Sequence, residues 1–95
     1  MTDFSSLYNH HEREVFAEVA IQAPNFPEVG KQDDLLVDVA CVALNRLPPR
    51  YIRHEVDFAF YLTESERLEI DVAIKEAVSY AFNFVRARLA LRARR

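Results

Sequence analysis

Residues 33–51 read DDLLVDVACVALNRLPPRY, and the reading of this stretch decides the fold. It opens on two acids, which suit the positive end of a helix dipole. Leu36, Val39, Ala40, Ala43, Leu44 and Leu47 recur at helical spacing and mark one apolar face. Leu35, Val37 and Val42 point elsewhere and are apolar too, and Asp38 is the only charge between Leu35 and Asn45. A helix apolar nearly all round has to be covered nearly all round. Two further helices of one small subunit can hardly do that, so we expect a homodimer with Val37, Cys41 or Val42 at or near the subunit interface. The helix then meets Pro48 and Pro49, which cannot continue it. Asn45 can take a left-handed conformation past a helix end, and Leu47 can pack back. Asn45 is therefore expected to cap this stop, a role worth about 1 kcal/mol.

Upstream, a first helix is expected from about His10 to Gln22. Asn9 and Glu12 have capping-box spacing, and Val15, Phe16, Val19 and Ala20 form its apolar stripe. Residues 23–32, APNFPEVGKQ, hold two prolines and the only glycine and read as a loop. Phe26 and Val29 are expected to fold back over the core. Downstream of the prolines, Ile52, His54, Val56, Phe58, Phe60 and Leu62 share one parity, and Arg53, Glu55, Asp57 and Tyr61 share the other. That alternation favours an extended or irregular segment over residues 52–62; a short helix is the competing reading. The last helix is the clearest. Thr63–Glu66 is a capping box, and Ile70, Ala73, Ile74, Ala77, Val78, Ala81, Phe82, Val85 and Leu89 follow at helical spacing. Arg86, Arg88, Arg92, Arg94 and Arg95 gather at its C-terminal end, where the dipole favours cations.

Composition agrees with a mainly α domain. The 95 residues are 51% hydrophobic and 28% charged, with a single glycine, which argues against a turn-rich all-β fold. This length suits one domain spanning residues 1–95, with residues 90–95 as a frayed, arginine-rich tail. The core would be small, and a partner subunit would help it. The expected fold is three principal helices with a short extended segment after the Pro-Pro stop, assembled as a homodimer. Formal charge is −3, so the chain as a whole does not favour polyanions, and nucleic acid is not an expected partner. Cys41, the only cysteine, has no intrachain partner, cannot supply a four-thiolate zinc site, and reads as a small buried hydrophobe. No signal peptide opens the sequence, and no apolar run approaches the ~18 residues of a membrane span, so a cytoplasmic location is expected.

Catalytic signatures are missing from the sequence. It has no serine beside a candidate base, no glycine-rich phosphate loop and no His-Glu-x-x-His pair, so we expect no enzymatic activity and no cofactor. His10 and His11 are adjacent and diverge by about 100° on a helix. They read as solvated surface histidines, and a metal role would need Glu14 as a third ligand. The segment around the prolines is different. Arg46, Arg50 and Arg53 lie within eight residues, with Tyr51 and His54 among them. The prolines and apolar positions alone are explained by a fold-locking turn, but the three arginines are not. Guanidinium groups make bidentate phosphate contacts and stack on nucleobases, and Tyr and His rings offer further stacking surface. These five residues are the candidate ligand site.

The stretch DVACVALNRLPPRYI resembles the signature of the late competence development protein ComFB family, a helix ending in Leu-Asn-x-Leu-Pro-Pro-x-Tyr. Here it is Leu44, Asn45, Leu47, Pro48, Pro49 and Tyr51. The order of the other elements, from YNHHEREVFAEV to FVRAR, is similar as well. The resemblance implies a small, mostly helical, cytoplasmic dimer without enzymatic activity. It also implies binding of cyclic dinucleotides, cyclic di-GMP or cyclic di-AMP, as described for some members. Arg46, Arg50 and Arg53 would hold phosphates, and Tyr51 or His54 would meet a base. The alternative is an adaptor in a competence or motility/pilus-related pathway, whose basic cluster contacts an acidic downstream protein. Some relatives carry several cysteines in a zinc site; with Cys41 alone, that site does not carry over and no metal is expected.

Overall fold

In the computed structural model, which describes residues 1–93, three helices carry the core and two short ones flank them. The order is β1 (Tyr8–Asn9), α1 (His11–Gln22), a 3-10 turn (Ala23–Asn25), α2 (Pro27–Gly30), α3 (Asp33–Arg46), β2 (Tyr51–Ile52), α4 (Glu55–Tyr61) and α5 (Glu64–Ala93). α1, α3 and α5 pack against one another, and α2 closes one end of the bundle against α3 and α5. β1 and β2 pair antiparallel, Tyr8 opposite Ile52 and Asn9 opposite Tyr51.

The inward stripes follow the sequence closely on two helices. Val39, Ala40, Ala43 and Leu47 are buried, with Leu36 and Leu44 packed at the edge. On α5, Ile74, Ala77, Val78, Ala81, Phe82 and Val85 are buried, flanked by Ile70 and Ala73. α5 starts with one of the two bonds of a capping box, and Glu66 takes the Thr63 hydroxyl in place of the Thr63 N–H. Thr63 Oγ1 accepts the Glu66 backbone N–H at 3.1 Å, and the Thr63 hydroxyl lies 3.1 Å from Glu66 Oε1. Phe26 and Val29 do fold back. Val29 is fully buried, and the Phe26 ring stacks on Phe82 with centroids 4.6 Å apart. Burying a side chain such as Phe82 contributes ~1.5–3 kcal/mol.

Several expectations are corrected. The 23–32 segment is not a plain loop: it holds the 3-10 turn and α2. It turns tightly enough that a Cβ on Gly30 would collide with the Ala23 carbonyl, which explains the glycine. On α1 the inward residues are His11, Val15 and Val19, one every four, while Phe16 and Ala20 face solvent. Asn45 does not adopt a left-handed conformation; no non-glycine residue among those described has positive φ. It lies inside α3, and its Nδ2 donates to the Cys41 carbonyl at 3.0 Å. The helix ends instead at Leu47, with φ −93° and ψ 138°. The ring of Pro48 disfavours helical geometry in the residue before it, and that alone sets the stop. Cys41 is exposed rather than buried, because the core face of α3 is turned away from it.

The extended or irregular reading of residues 52–62 holds at its two ends, with Ile52 in β2 and Arg53, His54 and Leu62 outside any helix, whereas residues 55–61 are helix α4, the competing reading. A longer strand would need a partner, and β1 offers two residues. Unpaired backbone groups are satisfied within a helix instead. Residues 90–93 of the expected tail continue α5; Arg94 and Arg95 lie outside the described residues. Among the described residues, no helix is long and apolar enough to cross a membrane.

Candidate functional site

Asn9 fixes the backbone that carries the candidate site. Its side-chain carbonyl accepts two backbone N–H groups, from His11 at 3.2 Å and from Arg50 at 3.1 Å. The His10 N–H donates to the Arg50 carbonyl at 2.7 Å. The chain leaving Pro49 is thus tied on both sides of Arg50 to the entry of α1, and the β1–β2 pair continues the seam. The sequence expected Asn9 to take a helix-end N–H; its hold on Arg50 was not foreseen.

From this anchored point the side chains gather around a recess of about 240 Å³, lined by Arg50, Tyr51, Ile52, Arg53, His54, Phe58 and Tyr61. Four of the five residues chosen from sequence are therefore brought together: Arg50, Tyr51, Arg53 and His54. All four are exposed. Arg46 is not among them. Its guanidinium lies 3.7 Å from the centre of the Tyr80 ring, so it ties the end of α3 to α5. Phe58 and Tyr61 join the site unforeseen. Read as a strand, their opposite parity puts them on opposite faces; on a helix, a separation of three residues puts them on one.

Phe58 is the hinge point of the site. Its ring lies 3.9 Å from the His10 ring, tilted by 34°, and 4.9 Å from the Arg50 guanidinium carbon. Two further contacts hold α4 in place. Arg67 Nη2 donates to the Ala59 carbonyl at 2.7 Å, and Arg13 meets Glu55 at 3.4 Å in an exposed ion pair worth at most ~1 kcal/mol. The outer side of α4 is apolar and uncovered, with Phe60 88% exposed and Val56 and Tyr61 nearly as open.

The histidine pair is not solvated as expected. His11 is only 6% exposed, and the Nδ1 atoms of both His10 and His11 are buried without a hydrogen-bond partner. Burial pushes the His11 pKa below its ordinary value, and the neighbouring His10 and Arg50 push the same way. The Pro48 carbonyl beside the ring opposes them in part. Among the described residues, no three or more His, Cys, Asp or Glu side chains are placed to hold a metal ion.

Chemically, the recess offers two guanidinium donors, an imidazole and three aromatic rings. That set suits a ligand combining anionic oxygens with a flat ring.

Residues 8–89 match the family model described as late competence development protein ComFB. The chain belongs to the ComFB family. The ComFB match begins where β1 begins and ends at Leu89, a half-buried residue of α5. It therefore contains the Leu44–Tyr51 motif and every residue of the recess. In this ComFB chain the motif has a readable physical role. Leu44 and Leu47 pack on the core, Pro48 and Pro49 end α3, and the chain emerges where Asn9 holds Arg50. No curated protein matches the chain.

Proposed function

We propose that this ComFB-family chain is a non-enzymatic, cytoplasmic regulatory protein that binds a cyclic dinucleotide and works as a homodimer. The reading rests on one observation: Arg50 and Arg53 share a recess with Tyr51, His54, Phe58 and Tyr61. Phosphate oxygens meet the two guanidinium groups in charge-assisted hydrogen bonds, and a base stacks on an aromatic wall. Arg46, held on Tyr80, supports the fold in this reading rather than the ligand.

Calorimetric titration against cyclic di-GMP and cyclic di-AMP, with mononucleotide controls, tests the proposal. Arg53 is exposed and outside the core, so Arg53→Ala leaves the melting temperature within a few degrees of wild type. Losing one charge-assisted contact costs ~1.5–3 kcal/mol, so the variant binds about ten- to a hundredfold more weakly. No heat with either dinucleotide at millimolar concentration rejects the receptor reading.

A second reading is favoured by the uncovered apolar side of α4. There the chain is an adaptor that docks a downstream protein through Val56 and Phe60, with Arg50 and Arg53 contacting acidic residues at the rim. A partner whose capture survives Arg53→Ala and is lost in Phe60→Ser favours the adaptor.

A further inference from the structure

Phe58 also lines a second recess, of about 330 Å³, where α1, α4 and α5 meet. Ala59, Leu62 and Ile70 complete its apolar lining. A further recess of about 220 Å³ lies between α1 and α5, with Ala17, Ile21 and Ile74 in its walls. The two share Glu14 and Asp71, so they run end to end as one groove. Along α1 the groove reaches from His10 to Ile21. At helical rise that is about 16 Å, or about three turns. Ile21 is 69% exposed, so nothing in the subunit covers the far end.

The rim of the groove is acidic. Glu14, Glu18, Glu55 and Asp71 line it, against the cations Arg67 and Lys75. Arg67 already donates to the Ala59 carbonyl, and Glu55 already meets Arg13. Among the described residues, Glu14, Glu18 and Asp71 make no ion pair. Glu18 accepts only the neutral amide of Gln22. Carboxylates that face one another across an apolar floor repel, and a cation from outside the subunit relieves that repulsion. The cations of the last helix lie elsewhere: Arg86, Arg88 and Arg92 are near its other end.

We propose that this groove docks a basic amphipathic helix of a partner protein, about three turns long. Its apolar stripe would lie on Ala17, Ile21, Ile70 and Ile74, and its lysines or arginines would meet Glu14, Glu18 and Asp71. The walls decide for a helix. They are themselves helices with paired backbones, so an extended peptide finds no edge to bond, whereas a helix satisfies its own backbone. The charge decides the partner's sign. An acidic protein or a dinucleotide is repelled here, and a basic segment is steered in. This surface is separate from the arginine–aromatic site and from the outer side of α4, and it does not depend on the receptor reading.

Fluorescence anisotropy of a labelled peptide on the full chain tests the proposal. The probe is an amphipathic helix of leucine and lysine, about 18 residues long so that it can hold helical form. One control peptide has glutamate for lysine, and another has serine for leucine. The leucine–lysine peptide is expected to bind at least tenfold more tightly than either. Combining Glu14→Lys with Asp71→Lys should weaken it at least tenfold. Glu12→Lys with Glu76→Lys makes the same charge change on the same two helices outside the groove, and should weaken it less than threefold. Ala59→Trp fills the larger recess without altering charge, and should also cost at least tenfold; it serves if the charge reversals disturb the fold, which melting curves check. Phe60→Ser, on the outer side of α4, should change nothing. No binding of the leucine–lysine peptide, equal affinity for all three peptides, equal effects of the two charge pairs, or a loss in Phe60→Ser without one in Ala59→Trp each overturns the groove. Dinucleotide titrations are read separately, so such a failure leaves the receptor reading standing.

Discussion

His11 occupies a position where a valine or leucine would be the cheaper choice. It continues the buried stripe of Val15 and Val19 one turn earlier, and its Nδ1 goes unpaired. An unpaired buried polar atom costs ~1–3 kcal/mol, and the protein carries that cost at the start of α1, beside the proline turn. The same burial makes His11 a source of pH dependence. Its folded pKa lies below 6.5, the ordinary value. Above about 6.5 neither state protonates the ring, and the full stability is present. As pH falls below that value, the unfolded chain takes up a proton that the folded chain resists. Stability is then lost until the folded pKa is passed. Urea midpoints measured between pH 7.5 and 5.5 should therefore fall more steeply for wild type than for His11→Gln, which cannot titrate. Subtracting the two curves removes the carboxylates and other histidines common to both. Parallel curves across the window would show that His11 does not resist protonation.

At the scale of elements, what was legible depended on whether one chain supplies the burial that shapes the element. The stripes of α3 and α5 face a core within the same chain, so period and burial agree, and Thr63 accepts the Glu66 N–H as an N-cap. In α4, Val56 and Phe60 are apolar yet exposed, so their spacing records no packing within the subunit. Parity then suggested a strand where backbone pairing was unobtainable, and that error separated Phe58 from Tyr61. Arg50, Tyr51, Arg53 and His54 were found because they are close in sequence; Asn9 comes from a distant element, and no local pattern joins it to the turn. The end of α3 shows a subtler limit. Asn45 invites a left-handed cap, but the restriction that Pro48 imposes on Leu47 already ends the helix one residue past Arg46. Asn45 is thus an exposed interior helix residue, and alanine is the better helix former there by up to ~0.7 kcal/mol. Its bond to the Cys41 carbonyl is at the surface and replaceable by water. Asn45→Ala is expected to leave stability unchanged or raise it by about 0.5 kcal/mol, read from urea midpoints. A loss of about 1 kcal/mol would restore the capping role.

The whole molecule is larger in outline than its mass warrants. Its radius of gyration is 15.4 Å, against about 12 Å for a compact chain of this length. Its accessible surface is 7137 Å², against about 5,600 Å² for a monomer of 11.0 kDa. The difference exceeds the ~800 Å² that each partner contributes to a standard interface. A second copy of the chain can account for it. Between α3 and α5 runs a groove of about 270 Å³ whose walls carry both Asp38 and the pair Arg88 and Arg92 around an apolar floor. A two-fold axis through this groove would allow Asp38 of one copy to meet Arg88 or Arg92 of the other, since the same patch would serve both subunits. On the outer side of α3, Val37 is 68% exposed and Cys41 is open, whereas Val42 already packs on its own core. Val37 is therefore the position that separates association from folding. Light scattering of the wild type at micromolar concentration should give a mass near 22 kDa, twice that of the chain. Val37→Glu buries an unpaired carboxylate in each half of that interface and none in the monomer. It should lower the association constant at least a hundredfold, ~2.8 kcal/mol, with the helical circular dichroism unchanged. A wild-type mass near 11 kDa would remove the dimer. The open surface of α3 and α4 would then belong to a different protein, which is the adaptor's prediction rather than the receptor's.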